Sequence, residues 1–406
     1  MSTPVVNILD RLSPERAVLP KAASWDDRWS LAGGTAWVYY SRPGQTKVRR
    51  PVILADGFAM GPSDPDVLWN GLENGRFPFV TKLREQGYDL VLLGFDERSA
   101  SVIDNADTAI DCIKKTIANR EGSASLTVGG FSMGGLVTRY ALAKMGNEHQ
   151  TSTYISYDTP HQGAWLPIAV QGFAHFVKEH WGSANELMRH FSTLVNSPAA
   201  RQLLRWHIAT PSATAGQDQA RTDFITALEE VGYWPAGVRR FGVANGSGTG
   251  AGNGIPAGTP AMSSSGPVLG GTTLNTQATG AQTVARLQKA GSEPVLVRTD
   301  GLPDIDGAPG GLFPEAELLP GNFAIAAMLA MLLDGEPAQL AHPTSTFVPT
   351  ISAVAAGDID NRDALYSKID PTNSELDDFL CADGNEGHTV MTERLGRWIL
   401  DHLPTE

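Results

Sequence analysis

The sequence predicts an α/β fold whose mostly parallel central sheet carries helices on both faces. Two observations lead there. From Ala36 to Asp158, apolar runs of strand length alternate with segments of helical period. Several of those runs are apolar throughout rather than at every second residue, which is how strands buried on both faces read.

Taken in order, "AWVYYS" (Ala36 to Ser41) is aromatic and β-branched, and "PVILADGF" (Pro51 to Phe58) and "DLVLLGF" (Asp89 to Phe95) are continuous apolar runs. Ser101 to Ala118 then places Val102, Ile103, Ala106, Ile110, Ile113 and Ile117 at helical spacing. "SLTVGGF" (Ser125 to Phe131), a helix starting after Ser132, and "STYISYD" (Ser152 to Asp158) follow. Further strands are expected at "RRFGVANGS" (Arg239 to Ser247) and "STFVPTISAV" (Ser345 to Val354). On such sheets ligands collect at the carboxyl ends of the strands.

A chain of 406 residues can bury a large core, and 42% hydrophobic with 18% charged residues describes a globular protein. A net charge of -13, with no basic patch beyond the short run Lys47 to Arg50, argues against nucleic acid as a partner. The N-terminus has no basic segment followed by an apolar one, so no signal peptide is read and a cytoplasmic location is expected. The longest apolar run, Phe323 to Leu333, falls well short of the roughly 20 residues that cross a bilayer and reads as a buried helix. Cys112 and Cys381 form no disulfide framework and no metal-ligand spacing, so both read as free thiols, with no metal or cofactor expected.

The chemistry concentrates at Gly130-Phe131-Ser132-Met133-Gly134, a G-x-S-x-G between an expected strand and an expected helix. Glycines on both sides of the serine permit a turn that larger side chains would obstruct, and the strained turn projects the hydroxyl out of the sheet. The helix that follows offers positive potential and the Met133 N–H where an oxyanion would form.

"GGFSMGGLVTRYAL" followed by "YDTPHQGAW" resembles the α/β-hydrolase superfamily, and within it the lipase-like serine esterases. The likeness covers about Pro51 to His161 and resumes near "TFVPTISAV" and "GNEGHTV". It implies a Ser, acid, His triad in that chain order and acyl transfer to water. It implies His388, in a loop before a C-terminal helix, as the base. His161 in the T-P-H-x-G segment becomes a pocket-wall or structural residue. The second oxyanion donor is implied in the loop after "PVILADGF", at Phe58 with Gly57, where Asp56-Gly57 replaces the H-G of many hydrolases.

The acid is less determined. The strand Arg239 to Ser247 ends in Asn245 and glycines where many lipases carry an aspartate. Asp306, ahead of the turn-rich "GAPGG", is the choice, with Asp358, Asp360 and Asp304 as competitors.

Residues 1–163 are expected to form the first part of the hydrolase core and 238–406 the second, with a glycine-rich excursion over 245–280 read as a long loop or hairpin. Residues 164–237, rich in aromatic and aliphatic side chains at helical spacing, are expected to form a helical cap. Its apolar residues, Trp165 among them, would line a pocket for an acyl chain. The expectation is therefore a serine esterase acting on a small hydrophobic ester through Ser132, His388 and Asp306. An acyltransferase, thioesterase or amidase on the same site, or a silent binding protein of the same fold, are the alternatives.

Overall fold

The computed structural model describes residues 21–313, 315–316 and 319–405. Its central sheet has eight strands. They are β1 (Asp27–Leu31), β2 (Gly34–Tyr39), β3 (Pro51–Ala55), β4 (Asp89–Phe95), β5 (Leu126–Phe131), β6 (Thr151–Tyr157), β7 (Arg239–Ser247) and the edge strand Asp378–Ala382. The spatial order is β1-β2-β4-β3-β5-β6-β7 and then the edge strand. All pairs from β4 to the edge strand are parallel, whereas β1–β2 and β2–β4 are antiparallel.

Every residue of β3 and β4 is buried, which accounts for their unbroken apolar sequence. Side chains alternate between faces. Val52 and Leu54 pack with helices Phe79–Glu85 and Glu393–His402, through Leu83, Leu395 and Ile399. Ile53 and Ala55 pack on the other face with helices Val102–Ala118 and Met133–Met145, through Ala106, Ile113 and Val137. Ser101 starts the first of those two helices, its hydroxyl accepting the Asp104 N–H at 3.0 Å.

After β3 the chain places β4 on one side of it and β5 on the other. The strand order therefore reverses between β3 and β5, and a crevice opens beyond their carboxyl ends.

Residues 164–237 hold helices Ile168–Trp181, Glu186–Val195, Pro198–Leu203 and Gln219–Glu230. The first of these packs on a second, antiparallel sheet of five strands, ordered Val295–Thr299, Gln282–Leu287, Thr273–Asn275, Pro260–Ser263, Gln339–Leu340. Close approach marks the contact: a Cβ on Gly172 would lie 2.7 Å from Val297 Cγ2. Part of the glycine-rich stretch 245–280 is thus built into a sheet with its own apolar face, including Ala261, Met262 and Leu274.

The expected strand Ser345 to Val354 is shorter than its composition suggests. Thr346–Pro349 pairs antiparallel with Gly310–Leu312, outside the central sheet, and helix Thr350–Ala353 follows from Pro349. The last central strand is instead Asp378–Ala382. The apolar run near Phe323 is helix Asn322–Asp334. Among the described residues no helix is long and apolar enough to cross a membrane.

Candidate active site

Ser132 stands between β5 and helix Met133–Met145 with φ 52° and ψ -122°. This region is costly for a non-glycine residue, and the surroundings hold it there. The Ser132 N–H donates to Tyr157 O at 2.9 Å, and its carbonyl accepts the Gly135 N–H at 3.1 Å. The flanking glycines are required by contact. A Cβ on Gly130 would lie 2.4 Å from the Gly134 carbonyl carbon, and one on Gly134 would lie 2.4 Å from Ala55 O.

The loop after β3 passes directly beside the serine, since a Cβ on Gly57 would sit 3.3 Å from Ser132 Cβ. Phe58 and Ser132 then line one cavity of about 340 Å³, which His388 also lines. Met133 is the first residue of its helix, where N–H groups lack an intrahelical acceptor.

His388 lies in the loop after the edge strand. Its Nδ1 is 2.6 Å from Asp158 Oδ2, and both side chains are buried. The other carboxylate oxygen, Oδ1, accepts the Asn245 N–H at 3.0 Å. A carboxylate on Nδ1 selects the tautomer that leaves Nε2 as the acceptor. Nε2 has no protein partner among the described residues, and the Phe347 ring packs edge-to-face on the imidazole at 5.0 Å.

Asp306, expected as the acid, does not meet the imidazole. Its Oδ1 accepts Trp165 Nε1–H at 2.7 Å and its Oδ2 accepts the Gln277 N–H at 2.7 Å, so both oxygens join the segment before helix Ile168–Trp181 to the turn between Thr273–Asn275 and Gln282–Leu287. Burial pushes its carboxyl above the usual range. The competitors are also engaged elsewhere. Asp304 holds Arg362, Asp358 accepts the Asp360 N–H, and Asp360 holds Arg205 and Trp206.

The carboxylate that does meet His388 is Asp158, the last residue of "STYISYD", which no local pattern marks. Parallel pairing of Phe131 with Tyr157 puts the next residues, Ser132 and Asp158, side by side at the strand ends. Asp158 has φ 46°, so it too leaves its strand by a sharp turn.

The two expected substrate-binding residues lie behind the cavity rather than in its wall. His161 places Nδ1 3.3 Å from Arg139 Nη1 and packs on Trp234 at 5.1 Å. Burial, with the Arg139 charge beside it, holds its imidazole well below the usual range. Trp165 turns to Asp306, while its neighbours Ala164 and Leu166 line the cavity, an alternation expected of extended backbone.

Apart from Asp56 and Thr389, the rest of the wall is apolar. Leu68, Leu72, Phe191, Leu194 and Leu203 contribute to it, and Phe313 stacks edge-to-face on Phe347, which packs on the histidine. Both cysteines are free thiols, and among the described residues no group of His, Cys, Asp and Glu side chains is placed to hold a metal ion.

No family model and no curated protein matches the chain. Solved structures similar to it include the mature form of the lipase BlEst2 of Bacillus licheniformis, with TM-score 0.31 and 13% identity over 52% of this chain and 71% of that one. An esterase of Pyrobaculum calidifontis gives TM-score 0.33 and 12% identity over 53% of this chain and 65% of that one. The esterase Est22 gives TM-score 0.31 and 10% identity over 53% and 61%. The chain thus spans less than two thirds of the length of the latter two. By its own topology, with a mostly parallel eight-stranded sheet, helices on both faces and an elbow serine beside the reversal of strand order, the chain has the α/β-hydrolase fold.

Proposed function

We propose that the protein is a serine hydrolase that cleaves carboxylic esters of apolar acyl groups. In this reading Ser132 Oγ attacks the ester carbonyl while His388 Nε2 takes its proton. The Met133 and Phe58 N–H groups receive the negative charge that develops on the carbonyl oxygen. His388 then returns the proton to the departing alcohol, leaving an acyl group on Ser132 that water removes by the same route in reverse. Asp158 holds the imidazole in its productive tautomer and stabilises the imidazolium.

The observation that carries the reading is the Asp158–His388 pair, whose Nε2, without a partner among the described residues, belongs to a side chain that shares a cavity with the elbow serine. A wall that is apolar apart from Asp56 and Thr389, with no lysine or arginine among its described residues, favours an uncharged acyl chain over a phosphate-bearing or peptidic group.

Intact-mass labelling with a fluorophosphonate tests this. One label per chain is expected on the wild type, none on Ser132→Ala, and strongly slowed labelling on His388→Ala and Asp158→Asn. A folded wild type that takes no label, or a Ser132→Ala variant that still does, would sink the proposal.

A further inference from the structure

Asp56 follows β3 directly, lines the cavity beside Ser132 and opens the loop that carries Phe58. Its side chain is buried, and every partner it has belongs to that loop or to the residue that braces it. Oδ1 accepts the N–H of Gly57 at 2.7 Å. Oδ2 accepts the Ser63 hydroxyl at 2.6 Å and faces Arg98 Nη1 at 3.5 Å.

Arg98 in turn grips the middle of the loop. Its Nη2 donates to Met60 O at 3.2 Å and its Nε to Gly61 O at 3.3 Å. Ser63 Oγ accepts the Phe95 N–H at 2.9 Å, anchoring the far end of the loop to the end of β4. The segment 57–63 is therefore fastened at its start, middle and end, and one carboxylate connects the fastenings. Since the Gly57 N–H is committed to Asp56, the next N–H along the loop is that of Phe58, which lines the cavity with Ser132.

We propose that Asp56 is a positioning residue for the oxyanion hole, its carboxylate and Arg98 together fixing the turn that aims the Phe58 N–H at the substrate carbonyl. This rests on the reading of Ser132 as the nucleophile. A carboxylate that only capped the loop would need a single N–H. Burying this one beside an arginine carries a desolvation cost that capping alone does not require. Burial pushes its carboxyl up, with Arg98, Ser63 and the Gly57 N–H pulling it back. Donors held in place before the reaction are what make an oxyanion hole effective.

The test compares wild type, Asp56→Asn and Ser63→Ala with p-nitrophenyl butyrate as substrate and an alkyl trifluoromethyl ketone as inhibitor. The ketone mimics the tetrahedral intermediate: Ser132 Oγ bonds to its carbonyl carbon, the π pair moves to oxygen, and His388 keeps the serine proton. Asp56→Asn is expected to lower kcat and raise the ketone Ki by a common factor on the order of 10 to 100, with KM within about threefold. Ser63→Ala, which removes one bond without stranding a charge, should move both in the same direction by about threefold or more.

Asp56→Asn that is folded by circular dichroism yet keeps kcat and Ki overturns the inference, and so does a change confined to KM. If Asp56→Asn does not fold, Ser63→Ala decides alone. A wild type that neither hydrolyses the ester nor binds the ketone would remove the nucleophile reading and this inference together. A competent wild type with unaffected variants removes only the inference.

Discussion

Three of the six described non-glycine residues with positive φ stand at or beside the cavity. Ser132 and Asp158 have φ of 52° and 46°, and Thr389, the residue after His388, has φ 62°. Each such non-glycine conformation costs about 1 to 3 kcal/mol, which the surrounding hydrogen bonds offset. The two buried aspartates closest to the question of the acid can be separated by one substitution each. Asp158→Asn should lower kcat by about 10³ to 10⁴, because the amide no longer selects the Nδ1–H tautomer, while the denaturation midpoint changes little. Asp306→Asn should leave kcat within about threefold. It should cost about 1 to 3 kcal/mol of stability, because its amide turns an NH₂ toward either Trp165 Nε1–H or the Gln277 N–H. Initial rates and urea unfolding on both variants check this, and the opposite pattern would return the acid to Asp306. The turn at Ser132 and the loop that carries His388 were legible in the sequence because the elbow has a local spacing and the loop precedes a recognisable helix. Asp158 was not, since it meets His388 across 230 residues and no local pattern encodes that contact.

At the level of elements, the histidine loop is held by the ends of β6 and β7. Tyr157 Oη and Asn245 Nδ2 both donate to Val390 O, each at 2.8 Å, and the His388 N–H donates to Leu312 O at 2.8 Å. Because two donors share one acceptor, losing either leaves the loop pinned by the other. Tyr157→Phe and Asn245→Ala are each expected to slow fluorophosphonate labelling by about threefold to tenfold. Together they should exceed the product of the two, a coupling of about 0.5 to 3 kcal/mol. Strict additivity would mean that the two donors do not hold the same geometry. Where strands are buried on both faces the sequence located them closely, as at Asp89–Phe95 and Arg239–Ser247. The edge strand Asp378–Ala382 escaped notice because it is short and half exposed, so no continuous apolar run marks it. The second sheet escaped because strands such as Pro260–Ser263 and Thr273–Asn275 are short and lie among glycine, serine and threonine.

For the molecule as a whole, buried histidines make stability fall with acid. Burial lowers His149, His161, His175 and His207, and brings His175 to about 4. The unfolded chain takes up protons at such groups once the pH falls below about 6.5, whereas the fold resists until lower pH. The stability they contribute is therefore complete above about pH 6.5 and declines as the pH falls toward the folded values. Asp56 and Asp306 act in the opposite sense, because burial raises them and the fold then holds their protons more firmly than the unfolded chain does. His175 bonds to a helix that lines the cavity. Its Nε2 bonds to Ile208 O at 2.8 Å, and its Nδ1 to Ser192 Oγ at 2.8 Å, on helix Glu186–Val195, which also supplies Phe191 and Leu194 to the cavity. Since the Ile208 carbonyl can only accept, the Nε2 proton is fixed and Nδ1 accepts from Ser192, a bond that protonation breaks. Moving from pH 7.5 to pH 5 should cost the wild type about 2 kcal/mol through His175 alone. His175→Gln should start less stable at pH 7.5 but lose about 2 kcal/mol less over the same interval. Urea unfolding at the two pH values measures both. Parallel losses in the two proteins would assign the acid sensitivity to another buried histidine, His161 first.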